Sequence, residues 1–462
     1  MIAGATGTGK TVTLQVMAEG FSRMGVPVFA ADIKGDLSGL AAAGKPHPKI
    51  DERLKQIPVQ NYQQIQSPAV FWDVYGVNGH PIRTTISEMG PLLLSNLLEL
   101  NETQESVLYA AFRIADDQGL LMLDLKDLKA MIAWMSDNAK KLRSEYGNLA
   151  PASIGAIQRG LMVLEQQGGD RFFGEPSVQI NDLMHVDFSG RGVISILDAT
   201  RLYSQSPRVY TAFMLWILSE LFEQLPEQGD SDRPRMVLFF DEAHLIFNSA
   251  PKPLLDKVEQ VVRLIRSKGV GVYFISQSPS DIPETVMGQL GLKVQHALRA
   301  FTPKERQSVK IIAANFRANP AFDTETVITD LGIGEALVSA LDEKGTPMTV
   351  RRTLIAPPQS QIGPIDPGEL RACMNRSPLR GRYENQVDRE SAYELLKARA
   401  AAEPAQMPEK PAPAPAPKTA AQGSSRQSIT DAFIKSAARS IGSQIGTRII
   451  RGVLGSVFGS RR

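Results

Sequence analysis

The sequence predicts an α/β protein whose mostly parallel sheet is organised around a phosphate-binding loop. Three observations carry that prediction. Residues Gly4-Ala5-Thr6-Gly7-Thr8-Gly9-Lys10-Thr11 complete a G-x-x-x-x-G-K-[ST] pattern. A continuous apolar run, Met236-Val-Leu-Phe-Phe240, ends in the acidic pair Asp241-Glu242. Between and beyond them, short runs rich in β-branched and aromatic residues alternate with segments of helical period, as in strands joined by crossover helices.

The elements follow in order. After the glycine-rich loop comes a helix from about Thr11 to Met24, a turn at Gly25 and a strand, Pro27-Val-Phe-Ala-Ala-Asp-Ile33. The loop Lys34-Gly-Asp36 then falls where strand C-termini line a nucleotide crevice. A short apolar run, Ala69 to Tyr75, precedes a long helical stretch in which Asn101-Glu-Thr-Gln-Glu-Ser106 leads into one apolar face and Asp124 caps another run. That stretch, 91–185, is longer than an ordinary crossover and reads as a helical insertion between two parts of the core, 1–90 and 186–365. Strands return at Gly192 to Asp198, Met236 to Phe240 and Val270 to Ser276. Helices at Val209 to Leu225 and Leu254 to Lys268 separate them. Residues 366–402 form a C-terminal helical segment with a helix near Ser391 to Ala402. Residues 403–425 contain Pro-Ala repeats that cannot pack a core, and read as a flexible linker. Only Met1, Ile2 and Ala3 precede Gly4, a stub shorter than a usual strand, so the first strand is expected to begin upstream of this sequence.

Composition narrows the class. With 43% apolar and 22% charged residues, the chain is neither a disordered polyelectrolyte nor a membrane protein, and no apolar run reaches the length of a membrane-spanning helix. One cysteine, Cys373, excludes an intramolecular disulfide and fits a reducing cytoplasm; it reads as a small semi-buried apolar residue. The five histidines show no metal-ligand spacing, and a net charge of +2 does not by itself announce a nucleic-acid binder.

The chemistry rests on a few residues. Gly4, Gly7 and Gly9 let successive N–H groups turn inward on phosphate oxygens, and the dipole of the following helix adds to that cradle. Lys10 reaches the β- and γ-phosphates of ATP, and the Thr11 hydroxyl is placed to ligate Mg2+. At the end of the apolar run, Asp241 serves as the second Mg2+ residue and Glu242 as acceptor of a proton from the attacking water. Two carboxylates are needed because the metal occupies one. Gln277, in Ser276-Gln-Ser-Pro279, ends the next strand where its amide can meet the γ-phosphate or the water. The run Asp241-Glu-Ala-His244 also fits a DEAH-type helicase, but no Gln-x-x-Gly-Arg-x-x-Arg motif is found and the first two motifs lie too far apart. Small-molecule kinase chemistry is disfavoured by Glu242, which suits activation of water.

The order of these motifs resembles the HerA/FtsK class of RecA-like ATPases: phosphate loop, Lys34-Gly-Asp36, Asp241-Glu-Ala-His244, then Phe274-Ile-Ser-Gln-Ser-Pro-Ser280. Within the class, Gly4 to Gln15 and Ala31-Asp-Ile-Lys-Gly-Asp-Leu-Ser-Gly39 look like the HerA-like C-terminal-domain family, a likeness that runs to about residue 402. It implies a RecA-like fold and a hexameric ring, a homo-oligomer in which an arginine of one subunit completes its neighbour's site. Arg299, in Gln295-His-Ala-Leu-Arg-Ala-Phe301, takes that position, with Arg263 and Arg266 as rivals. By the same analogy the substrate is double-stranded DNA moved by a helicase-like translocase; a regulatory or protein-remodelling ATPase is the alternative.

The last segment, 426–462, has one acidic residue, Asp431, against seven arginines and lysines, with apolar residues at helical spacing and several glycines. It reads as a basic amphipathic arm for an anionic membrane surface, nucleic acid or its own ring.

Overall fold

Strand burial follows the period-2 rule that puts successive side chains on opposite faces. In the apolar run, Met236, Leu238 and Phe240 face one hydrophobic cluster, while Val237 and Phe239 face another. All five are buried, as expected of a strand covered by helices on both faces. The structure is a computed structural model that describes residues 1–229, 231–249 and 252–402. The predicted linker and basic arm, 403–462, lie outside the described residues.

Ten strands form the sheet among the described residues. They are β1 (Ile2–Ala3), β2 (Val28–Asp32), β3 (Ala69–Asp73), β4 (His80–Pro81), β5 (Ile194–Asp198), β6 (Met236–Phe240), β7 (Val270–Ser276), β8 (Lys293–Gln295), β9 (Glu335–Ser339) and β10 (Arg351–Leu354). Their spatial order is β10-β9-β8-β1-β7-β6-β2-β5-β3-β4. Every pairing is parallel except those of β9, which runs antiparallel to both β8 and β10. Short as it is, β1 pairs on both sides, Ile2 with Ile275 and Val294, Ala3 with Ser276 and Gln295.

The larger cluster joins one face of the sheet to the helices between β4 and β5 and to helix Pro207–Gln224, whose Phe213 and Trp216 stack at 5.8 Å. Those helices start where polar side chains satisfy free N–H groups: Thr85, Asn101 and Asp124 each close a capping box. Helical structure begins at Ile86, ahead of the residue 91 boundary read from sequence. Pro91 looks like a first-turn proline, but it lies inside a helix kinked at Gly90, where φ is 73°. The opposite face packs against helix Lys10–Arg23 through Leu14 and Ala18. A third, small cluster supports the β8–β9 end with helices Pro303–Ala314 and Thr324–Asp330. Helix Pro367–Arg376, which sequence reading did not resolve, precedes helix Ala392–Ala402. No helix among the described residues is long and apolar enough to cross a membrane.

Candidate active site

The C-terminal ends of four adjacent strands, β1, β7, β6 and β2, meet at one edge of the sheet. Each delivers one part of the site.

From β1 the chain enters the glycine-rich loop. Gly4 has φ 152°, and a Cβ there would lie 2.5 Å from the Cβ of His296, so only glycine fits. Gly9, with φ 111°, caps the following helix, and a Cβ there would lie 3.3 Å from Gly334 N, whose N–H donates to the Thr8 carbonyl at 3.0 Å. The Thr8 hydroxyl donates to the Ala5 carbonyl. Ala5, Thr6 and Gly7 form the open crest of the loop, and Thr6 and Gly7 are exposed. Lys10 is buried, and its ammonium donates to the carbonyls of Gly4 (2.6 Å) and Ala5 (3.0 Å). Burial lowers its pKa, and the Lys34 ammonium lowers it further against the pull of Glu242 and Asp241. Thr11 follows in the first turn of the helix, half-buried.

From β6 come the two carboxylates. Burial pushes the Asp241 carboxyl up to about 6, with Lys34 opposing and Glu242 adding to the rise. Glu242 takes φ 48°, a left-handed conformation costly for a residue with a side chain and characteristic of functional positions. Its N–H donates to Asp241 Oδ1 at 3.0 Å, the next N–H donates to the Ile275 carbonyl of β7, and Tyr210 Oη donates to the Asp241 carbonyl. Burial alone would raise the Glu242 carboxyl. Lys34 outweighs it and, with His244 and Gln277, holds Glu242 below the usual carboxylate range.

Gln277, exposed after β7, lies close enough to Glu242 to help lower its pKa. Its loop is fixed by Asp281, which accepts from the Ser276 hydroxyl and the Ser278 N–H. From β2, Asp32 accepts the N–H groups of Gly35, Asp36 and Leu37 and so shapes the loop that carries Lys34. Lys34 Nζ stands 2.8 Å from Glu242 Oε1, and His244 Nδ1 stands 3.3 Å from Oε2.

The structure thus gathers Lys10, Asp241, Glu242 and Gln277 around one crevice, with Thr11 in the first turn beside Lys10. Arg299 stands apart, exposed, beyond the end of β8. Sequence reading left out Lys34 and His244 as site residues. The Lys34-Gly-Asp36 turn was the available signal, but what Lys34 meets depends on β2 lying beside β6.

The residues suit a magnesium nucleotide. Gly4, Gly7 and Gly9 all take positive φ in the turn of the loop, and the Lys10 ammonium is held by loop carbonyls. Thr11 and Asp241 offer the hard oxygen donors that Mg2+ takes.

A family model described as helicase HerA-like C-terminal matches residues 1–462. The chain belongs to the helicase HerA-like C-terminal family. No curated protein matches this HerA-like chain in sequence. Among solved structures, the plasmid coupling protein TrwB with the non-hydrolysable GTP analogue GDPNP is similar at a TM-score of 0.52 and 13% identity, over 79% of this chain and 86% of that one. TrwB with ADP and Mg2+ gives 0.50 and 14%, with the same coverage. VirB4 of Thermoanaerobacter pseudethanolicus gives 0.48 and 17%, over 80% and 90%. The HerA-like chain therefore has the α/β fold of TrwB.

Proposed function

We propose that the chain is a Mg-ATP-hydrolysing motor that works as a homo-oligomeric, hexameric ring on double-stranded DNA in the cytoplasm. The observation that carries the reading is the placement of Glu242: a carboxylate on a left-handed backbone at the end of β6, two strands from the phosphate cradle of β1. The nucleotide titles of the TrwB structures support ATP and Mg2+ as ligands. The helicase family and the plasmid coupling protein of the same fold support DNA as the polymer.

In this reading the N–H groups of Gly4 to Gly9 and the Lys10 ammonium hold the β- and γ-phosphates. Thr11 and Asp241 hold Mg2+, which when bound neutralises charge on the phosphate oxygens. Glu242 orients the attacking water and takes its proton, and Gln277 fixes the water's direction by hydrogen bonding. Arg299 of a neighbouring copy offsets charge that develops on the transferred phosphoryl group. Arg299 leaves the sheet at the nucleotide edge, where the Ala297 carbonyl accepts the Ala5 N–H. Arg263 and Arg266 precede β7 and lie toward the opposite edge, which favours Arg299.

ATPase rate with and without duplex DNA, measured with the mass of the assembly, tests the whole. Stimulation by DNA in a hexamer is expected. A rate indifferent to DNA would put a protein in place of the polymer. Glu242→Gln should keep ATP binding and hydrolyse it about 10²- to 10⁴-fold more slowly. Hydrolysis at the parent rate would remove Glu242 from the chemistry.

A further inference from the structure

An ion pair between Lys34 and Glu242 ties the β2 loop to the acidic pair, and its two partners differ in freedom. Glu242 is buried, with its side chain 8% exposed and its backbone at φ 48°. Lys34 is 40% exposed on a flexible four-carbon stem. The loop beneath it is fixed, because both Asp32 oxygens hold its N–H groups and Gly35 takes φ 78°. The side chain of Lys34 can therefore swing while its Cα stays in place. As the site stands, Lys34 covers Oε1 and His244 faces Oε2. Oε2 is buried without a hydrogen-bond partner, so Oε1, held by the Lys34 ammonium, is the oxygen that a movement of Lys34 would release. Lys10 and Lys34 both feel the same pair of carboxylates, Asp241 and Glu242, which puts the two ammonium groups in one neighbourhood.

We propose that Lys34 is a positioning residue that restrains Glu242 until a terminal phosphate arrives, then moves its ammonium onto that phosphate and frees Oε1 for the water. The terminal phosphate of ATP carries the charge needed to compete with Glu242 for the ammonium, and ADP lacks that group. Glu242 is thereby engaged only when there is a bond to cleave. The inference rests on the reading of Glu242 as the base.

The test is a double-mutant cycle of equilibrium binding on the full chain. Mg2+ is present, and the probes are ADP and the non-hydrolysable ATP analogue AMP-PNP. Lys34→Met should weaken AMP-PNP binding about tenfold, as expected for one charge-assisted hydrogen bond, and leave ADP within about twofold. Lys34→Arg keeps the charge and should keep most of the preference for the triphosphate. Glu242→Gln removes the competing carboxylate and should tighten AMP-PNP severalfold more with Lys34 present than with methionine there. Equal losses for both nucleotides in Lys34→Met, or a Glu242→Gln gain undiminished without Lys34, would overturn the inference while leaving the ATPase reading intact. A parent chain that binds neither nucleotide would overturn that reading, and the inference with it.

Discussion

His296 shows how much a single buried residue does for the phosphate cradle. It is fully buried, its Cβ bears on Gly4, and its Nε2 lies 2.8 Å from the Thr13 hydroxyl in the helix that the loop introduces. Burial pushes its pKa down from 6.5 to about 4, helped by the Lys10 ammonium. The folded state therefore favours the neutral ring. Its contribution is complete above about pH 6.5, the value in the unfolded chain. It is lost as the pH falls toward 4, because only the unfolded chain takes up the proton in that window. The loss amounts to about 3 kcal/mol by the standard conversion of a pKa shift. Urea unfolding midpoints followed from pH 7 to pH 4.5 should fall for the parent and fall less for His296→Gln, which has nothing to protonate there. Equal slopes in the two proteins would show that His296 is not held neutral. Glu242 follows the same logic in the same direction: the cation beside it lowers its pKa, so its contribution is likewise lost as the pH falls.

At the scale of elements, the sheet was most legible where its strands are buried on both faces. β6 and β7 lie where the apolar runs place them, and β2 and β5 within a residue or two, because a strand with no solvent face reads as a continuous apolar run. The β8–β10 end was not legible. Lys293-Val-Gln295 is three residues long, and Arg351-Arg-Thr-Leu354 has three exposed residues, so neither shows a period. Three helix starts, at Thr85, Asn101 and Asp124, combine a capping side chain with an acid or amide three residues on. The last of these also anchors a distant element. Asp127, fully buried in helix Leu125–Asp137, accepts the Leu123 and Asp124 N–H groups at one oxygen. Its other oxygen accepts the Ser391 hydroxyl and the Tyr393 N–H. It thus pins helix Ala392–Ala402 to the helical layer. Asp127→Ala strands those donors in a buried place and should cost about 3 kcal/mol of stability, read from the urea midpoint. A loss near zero would mean that water replaces the carboxylate and that the helix docks by its apolar contacts alone.

At the scale of the whole molecule, sequence and structure contribute different halves of the site. The motifs name Lys10, Asp241, Glu242 and Gln277 one at a time. Only the strand order, β1-β7-β6-β2, sets their loops side by side and brings Lys34 onto Glu242. Arg299 remains outside that group on an exposed stretch. If it acts across a subunit boundary, Arg299→Ala should bind ATP normally and hydrolyse it about 10³-fold more slowly. Lys10→Ala should bind none. Neither variant ring contains a complete site, yet their mixture does: an Arg299→Ala subunit supplies an intact phosphate loop, and a Lys10→Ala neighbour supplies an intact arginine. With random assembly of equal amounts, about a quarter of the interfaces in a cyclic ring have that pairing. The mixture should therefore recover about a quarter of the parent activity if the sites act independently. If mixed rings form, shown by mass, and recover nothing, Arg299 does not complete a neighbouring site. A single variant that hydrolyses at the parent rate as a monomer would remove the ring from the mechanism altogether.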